Sequence, residues 1–345
     1  MKSLFKIAVL ASLAFVALLA LPAGAAMPPG SFGDAGLPLI AFGGLIVNKD
    51  SLNNVFITLK TTFNNAFTAA PSVWEKIAML VPSGSGLNDY KWLSTFPRMR
   101  KWIGEKLIKS LAAFKYQVVN DDWEATVEVD RNDIEDDNLG IYGPQAQMAG
   151  FSAKQLPDEI VMDLVNGGFA NPCFDGQYFF DTDHVVAGAS VSNKGTKALS
   201  AATLAAAQAS YGAARIVMMK FKDDEGRSLV VSPNILLVPP ALLDTANALM
   251  TVDRLEDGKP NPYKGTATVV CDARLTSDTA WFLLDTSKPV KPFIYQVRKA
   301  PVFVQQIDPQ ADDVFNRKKF KFGAEARAAG GYGFWQTAFG SDGTT

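Results

Sequence analysis

The chain has 345 residues, 48% of them apolar and 20% charged, and its 33 basic and 35 acidic residues leave a formal charge of -2. That balance excludes a protein whose main task is gripping DNA or RNA through a strongly basic face. The apolar content excludes a collagenous or wholly disordered chain, and single cores stop growing at roughly 250 to 300 residues, so two folding units are expected.

At the start, Lys2 and Lys6 precede an apolar run from Ile7 to Leu21, and Ala23, Gly24, Ala25 and Ala26 follow. Charge, length and small residues together match a secretory signal peptide, and the run of about 15 residues falls short of the ~20 that span a bilayer. Residues 1–26 therefore support one reading of the chain as an exported, β-rich binding or surface protein. Residues 27–44 are rich in Gly and Pro and read as linker.

From Asp50 to Phe67 the apolar residues Leu52, Val55, Phe56, Leu59, Phe63 and Phe67 recur at spacings of three and four, which predicts an amphipathic helix. Val73, Trp74, Ile77, Ala78 and Leu80 predict a second short helix that stops at Pro82. Between Tyr90 and Val129 the aromatic and β-branched residues predict the strands of a long hairpin, with alternation clearest over Ala125 to Val129. The stretch from Lys106 to Phe114 fits helix or strand.

After Pro144, Leu156, Ile160 and Leu164 mark what should be the longest helix, ended by Gly167 and Gly168 and interrupted or kinked at Pro157. Ser200 to Arg215 predicts an alanine-rich helix, Leu229 to Val238 a strand broken by Pro233, and Ala241 to Met250 a further helix. The tail predicts strands at Thr266–Cys271, Ala280–Leu284, Phe293–Val297, Val302–Gln306, Lys319–Phe322 and Tyr332–Ala338. The class is α+β, with no repeat visible at solenoid periods.

Charge is unevenly placed. Arg98, Arg100, Lys101, Lys106 and Lys109 precede an acidic run that includes Asp121, Asp122, Glu124, Glu128, Asp130, Asp133, Glu135, Asp136 and Asp137. Opposite blocks this close suit docking between neighbouring molecules, although two solvated faces would show the same pattern.

Candidate chemistry is sparse. The single histidine, His184, follows Asp181 and Asp183, a potential metal set. Ligands drawn from four adjacent residues converge poorly, so a hydrogen-bonded structural histidine beside a turn-forming aspartate is expected, with no metal or other cofactor. Cys173 and His184 could form the pair of a Cys-His hydrolase, but no orienting third group or oxyanion hole is identifiable. Cys173 and Cys271 are too few for a disulfide scaffold. The glycines at 330, 331 and 333 match no phosphate loop, and Glu135-Asp136-Asp137 lacks calcium-loop spacing.

Several blocks carry a resemblance to a known family. They are Ala70-Pro71-Ser72 with Lys76-Ile77-Ala78-Met79, Tyr90-Lys91-Trp92-Leu93 with Phe96-Pro97, and Lys101-Trp102-Ile103-Gly104. Further along come Arg131-Asn132-Asp133-Ile134-Glu135-Asp136-Asp137-Asn138-Leu139-Gly140-Ile141-Tyr142, Gly168-Phe169, and Pro172-Cys173-Phe174-Asp175-Gly176-Gln177. Lys291-Pro292-Phe293-Ile294 and Ala328-Ala329-Gly330-Gly331-Tyr332-Gly333-Phe334-Trp335-Gln336 close the series. In this order, from about Leu45 to Ala338, the chain resembles the gpT-like major head (capsid) subunits of Mu-like phages and prophages.

The resemblance implies the HK97-type capsid fold and a structural role, not an enzyme. It places an N-terminal arm at 45–90, an E-loop at 91–135, a peripheral domain at 136–194 and 266–345 containing a spine helix, and an axial domain at 195–265. It also implies self-assembly into hexamers, pentamers and an icosahedral shell. Implied partners are a scaffold or head-maturation protease, a portal, and DNA enclosed without sequence-specific binding. No membrane is expected, and the location is the virion, assembled in the host cytoplasm. On this reading Met27 is the true start, or residues 1–26 are removed during assembly. The candidate contacts between subunits are Arg98, Arg100, Lys101, Lys106, Lys109, Glu128, Asp130, Asp133, Glu135, Asp136 and Asp137. Where relatives are expected to carry His-Pro, this chain has His184-Val185.

Overall fold

Leu52, Phe56, Leu59 and Phe63 become the buried stripe of helix α1 (Lys49–Ala69). The computed structural model describes residues 49–94, 116–136 and 139–345. All of them fall within one compact unit, 44–345. After α1 the helix α2 (Trp74–Ile77) is shorter than its apolar spacing predicts. It gives way to strand β1 (Ala78–Pro82), which pairs in parallel with β11 (Phe293–Gln306) from Ala78 opposite Phe293 to Pro82 opposite Val297. Pairing with a distant strand, invisible in local periodicity, decides this segment. Pro82 closes an edge strand, where a missing N–H costs little.

Strands β2 (Leu87–Asp89) and β3 (Gln117–Val119) pair antiparallel. The following strand, β4 (Asp121–Asp130), does not continue the β2–β3 pairing. It pairs over its whole length with β12 (Lys319–Tyr332), so the first sheet has the order β1-β11-β12-β4. Three of the strands expected in this region, Phe293–Val297, Val302–Gln306 and Lys319–Phe322, resolve into two of 14 residues each, β11 and β12. The expected strand Tyr332–Ala338 is not one: Tyr332 ends β12 and a 3-10 turn at Trp335–Thr337 follows. Pro301 lies within a register shift between Lys299 and Val302, so the ladder continues past a residue without a donor. The hairpin tip carries α8 (Asp312–Arg317), absent from the sequence expectations, which ends at Lys318 with φ +56°.

Helix α4 (Tyr142–Gly167) is 26 residues long and runs through Pro157 without a break. An interior proline costs ~3 kcal/mol. Packing on both sides offsets that cost. The first half lays Ala146, Ala149, Gly150 and Ala153 against α1 and the first sheet. The second half sends Leu156, Ile160, Val161 and Val165 into the main core. At Gly150 a Cβ would lie 2.3 Å from the Phe63 carbonyl oxygen, so only glycine allows the helices to approach this closely. Next to Pro157, the buried Asp158 accepts hydrogen bonds from Ser72 Oγ (3.2 Å) and the backbone N–H groups of Val73 (2.9 Å) and Trp74 (2.7 Å). It thereby caps α2 from another helix.

The second sheet is mixed, with order β7-β13-β10-β8-β9, where β7 is Lys194–Gly195, β8 Ile235–Val238, β9 Thr268–Cys271, β10 Trp281–Leu284 and β13 Ala338–Ser341. It therefore draws on the chain well beyond 195–265. The small hairpin of β5 (His184–Val186) and β6 (Ala189–Val191) precedes it. Val230 has φ +52°, which ends any strand geometry there and confines β8 to Ile235–Val238. The alanine-rich helix begins later than Ser200, because Thr203 accepts from Ala206 N–H (3.1 Å) and caps it. It continues as α5 (Leu204–Ala207), a π turn (Gln208–Gly212) and α6 (Ala213–Met219). Helix α7 (Leu243–Thr251) follows as expected.

The largest core joins both sheets through α4, with Phe179, Phe180, Phe282, Phe293 and Tyr332 at its centre. Each such side chain contributes about 1.5 to 3 kcal/mol on burial. A second cluster lies where α1, α3 (Arg131–Glu135), α4 and α8 meet the first sheet.

Candidate intersubunit surface

A buried polar network ties the root of the β2–β3 hairpin to the first sheet. Tyr90 OH donates to Gln296 Oε1 (2.7 Å), and Gln296 Nε2 donates to Asn120 Oδ1 (2.7 Å) and the Val118 carbonyl (3.2 Å). Asn120 Nδ2 donates to Ser83 Oγ and the Ser85 carbonyl, both at 2.9 Å, and Ser83 Oγ donates to Asn88 Oδ1 (2.9 Å). A polar network with its members bonded to one another specifies one arrangement, so the hairpin leaves the sheet in a defined direction. Burial pushes the Tyr90 phenol above its ordinary pKa.

The basic candidates Arg98, Arg100, Lys101, Lys106 and Lys109 lie outside the described residues, as do Asp137 and the ambiguous stretch from Lys106 to Phe114. The acidic candidates divide into two groups. On β4, Trp123, Ala125, Val127 and Val129 turn inward, leaving Asp122, Glu124, Thr126 and Glu128 exposed on the other face. Glu128 stands opposite Lys321, and Glu124 opposite Glu325. Asp122 pairs with Arg327 at 3.1 Å while remaining exposed, and Asp130, Asp133 and Glu135 are engaged more deeply within the chain. Asp130 bonds Lys319 (3.2 Å) and caps α3 through Asn132 N–H (2.9 Å), Asp133 accepts from Tyr142 OH (2.6 Å), and Glu135 pairs with Arg131 (2.8 Å). For Asp130 the backbone bond from Asn132, aided by Lys319, holds the carboxyl below its ordinary range. Asp136 is exposed at the end of α3.

An apolar groove of about 740 Å³ runs between α1 and α4, lined by Ala66, Ala69, Met148 and Phe151 among others. Met148 is 71% exposed, and Phe315 on α8 is 84% exposed. Sequence periodicity missed Met148 because it sits on an otherwise well-packed helix, and Phe315 because α8 itself was not expected. Among the described residues, no helix is long and apolar enough to cross a membrane.

His184 is fully buried and lies flat on Trp335, ring centroids 4.0 Å apart at 9°. Its Nδ1 bonds Asp175 Oδ2 (2.7 Å), not Asp181 or Asp183. Asp181 instead accepts from Thr182 N–H (2.7 Å) and Tyr178 N–H (3.2 Å), which anchors its own turn. Cys173 Sγ donates to Asp175 Oδ1 (3.1 Å), and burial with the adjacent carboxylate pushes the thiol pKa up. A thiol held protonated is a poor nucleophile, so the geometry offers nothing to a Cys-His hydrolase.

The model of the family described as "Mu-like prophage major head subunit gpT" matches residues 52–208, 197–275 and 272–345. The chain is 32% identical over 292 residues to the Mu-like prophage FluMu major head subunit of Haemophilus influenzae, covering 85% of this chain and 73% of that protein. It is also 32% identical over 294 residues to the major capsid protein of Escherichia phage Mu, covering 85% and 74%. Among solved structures, the procapsid of bacteriophage JBD30 matches with 32% identity and a TM-score of 0.53, over 86% of this chain and 76% of that one. The JBD30 capsid decorated with minor capsid protein trimers matches with a TM-score of 0.54 and 32% identity, over 62% of this chain and 94% of that one. The fold is the α+β capsid fold of the HK97 type, and the chain belongs to the Mu-like prophage major head subunit gpT family, a family of structural shell proteins.

Proposed function

We propose that this chain is the major shell subunit of a Mu-like phage or prophage head, and that its copies join through the hairpin rooted at β2 and β3. Family membership across residues 52–345 carries the reading. The hairpin root supports it, because the bonded network anchors the base from which the basic run Arg98 to Lys109 departs in the sequence. In this arrangement the arm is 45–90, the E-loop runs from 91 to roughly 119, short of the expected 135 because β4 pairs with β12, and α4 is the spine helix. Rings of six and five copies close into an icosahedral shell, where many modest contacts act together. A scaffold or maturation protease and a portal complete the head, DNA is enclosed without sequence readout, and assembly takes place in the host cytoplasm.

The finer contact is electrostatic. The basic run from Arg98 to Lys109 of one copy lies on the exposed Asp122, Glu124 and Glu128 face of the next. Expression from Met27, with and without a co-expressed scaffold, followed by sedimentation and negative-stain microscopy, tests the whole reading. Closed shells or capsomer rings support it, and a stable monomer under both conditions overturns it. Reversing Arg98 and Arg100 to Glu tests the contact itself. Shell yield should fall, and intact assembly of the double variant removes this contact from the proposal.

A further inference from the structure

Three donor atoms of different chemistry meet beside the C-terminal end of α4. Cys173 Sγ, an Asp175 carboxylate oxygen and a His184 ring nitrogen all lie within 4.8 Å of one another. The separations through Asp175 are 3.1 Å to the thiol and 2.7 Å to the imidazole. In a tetrahedral zinc site with bonds of about 2.0 to 2.3 Å, neighbouring donors stand about 3.3 to 3.8 Å apart. A small outward movement of the three side chains therefore makes room for an ion.

The molecule contains its own control for whether turn geometry alone explains this trio. Cys173 and Asp175 belong to a seven-residue hairpin, Pro172 to Tyr178, and the same hairpin recurs at Lys222–Ser228 and Arg254–Pro260. Each has its glycine at positive φ, +87° at Gly176, +78° at Gly226 and +76° at Gly258. Each closes with the same pair of backbone bonds, Cys173 N to Gln177 O (2.8 Å) and Gly176 N to Cys173 O (3.1 Å) in the first. Asp175 and Asp257 even share a bond to the N–H two residues on, both 3.1 Å. The turn thus accounts for Asp175. It does not account for Cys173, whose place is taken by Asp223 and Leu255 in the other copies, nor for an imidazole bonded to the turn's carboxylate.

We propose that Cys173, Asp175 and His184 form a binding site for a transition-metal dication of zinc's class, which staples this hairpin to the start of β5. Sulfur, carboxylate and imidazole are the donor set such borderline ions take. Cys173 and His184 are buried, while the Asp175 side chain is 20% exposed and leaves a way in for the ion and a fourth, solvent ligand. Binding releases the thiol proton to solvent as the sulfur–metal bond forms. Asp175 binds through a carboxylate oxygen, exchanging its present bonds to Cys173 and His184 for the ion. His184 binds the ion through Nδ1, so its single ring proton moves to Nε2, a buried atom with no hydrogen-bond partner among the described residues, and Trp335 lies flat against the ring.

The test is titration of the metal-stripped full chain with Co2+. A thiolate-to-cobalt charge-transfer band saturating at one equivalent, displaced by Zn2+ and accompanied by a rise in Tm, is expected. Cys173→Ser should abolish the band, His184→Gln should weaken Co2+ binding about tenfold or more, and Cys271→Ser should leave both unchanged. The wild-type titration needs no variant to fold. Absence of the band in natively folded wild-type protein, or a band that survives Cys173→Ser, overturns the site.

Discussion

Glu124 on β4 and Glu325 on β12 stand directly opposite each other across the first sheet, two carboxylates in register with no cation between them in the ladder. Lys299 reaches Glu325 from β11 at 2.7 Å, and Glu124 accepts from its neighbour Thr126. Like charges in this position destabilise an isolated sheet. Glu124→Lys should therefore stabilise the free subunit by about 0.2 to 1 kcal/mol, read as a small rise in Tm. If the proposed contact holds, the same variant should lower shell yield in sedimentation, because it places a cation on the face assigned to a neighbour's basic run. Unchanged yield would remove Glu124 from the contact surface.

Asp158 holds the start of α2 with one carboxylate oxygen serving three donors. Asp158→Ala leaves two backbone N–H groups without that partner and should cost about 1 to 3 kcal/mol in urea unfolding. Ser72→Ala removes a single, longer bond and should cost less than half as much. Equal losses would mean that the cap acts through the hydroxyl and not through the backbone.

Gly150 permits the contact between α1 and α4, since a Cβ there would lie 2.3 Å from Phe63 O. Gly150→Ala raises helix propensity, so on propensity alone it should stabilise. The structure predicts the opposite sign, a loss of about 1 to 3 kcal/mol as the helices are pushed apart. Denaturant midpoints decide between them.

Stability should also decline in acid through Asp223. Burial raises its carboxyl, but bonds from the N–H groups of Arg227 and Glu225 and from the Arg227 guanidinium outweigh this and leave it below its ordinary 3.8. A group with a lowered folded pKa binds fewer protons folded than unfolded. Its contribution is complete above the unfolded value and lost as pH falls through the folded one. The urea midpoint should drop between about pH 5 and about pH 3, and Asp223→Asn should flatten part of that drop.

Helices α1, α4 and α7 were legible because each buries one stripe, and a stripe leaves its period of three and four in the sequence. The inward row of β4, Trp123 to Val129, was legible for the same reason at period two. Strands β11 and β12 were not, because their continuity depends on a bulge around Pro301 and on glycines pressed against the neighbours, such as Gly323 against Ala125 O. The three matching hairpins were missed as well. Their shared signal is an acidic residue followed by glycine at Asp175-Gly176, Glu225-Gly226 and Asp257-Gly258, spaced too irregularly to register as a repeat.

The candidate surface was legible as two blocks of opposite charge, and the fold divided the acidic block. Asp130, Asp133 and Glu135 are half-buried against partners within the chain, whereas Asp122, Glu124 and Glu128 face outward, Asp122 with Arg327 beside it at 3.1 Å. Linear charge density cannot make that distinction, because it carries no record of which carboxylate has a lysine or tyrosine brought beside it from elsewhere.

By itself the sequence determined the family, the α+β class and the amphipathic elements, since those follow from residue identity and local period. Tertiary structure alone decided that Ala78–Pro82 is a strand, that Pro157 lies inside an unbroken helix, and that Asp175 and not Asp181 holds His184. In each case a contact between residues far apart in the chain, or a bond whose partner the local pattern does not name, outweighs a local preference of a few kcal/mol at most. Such contacts exist only once the chain has folded.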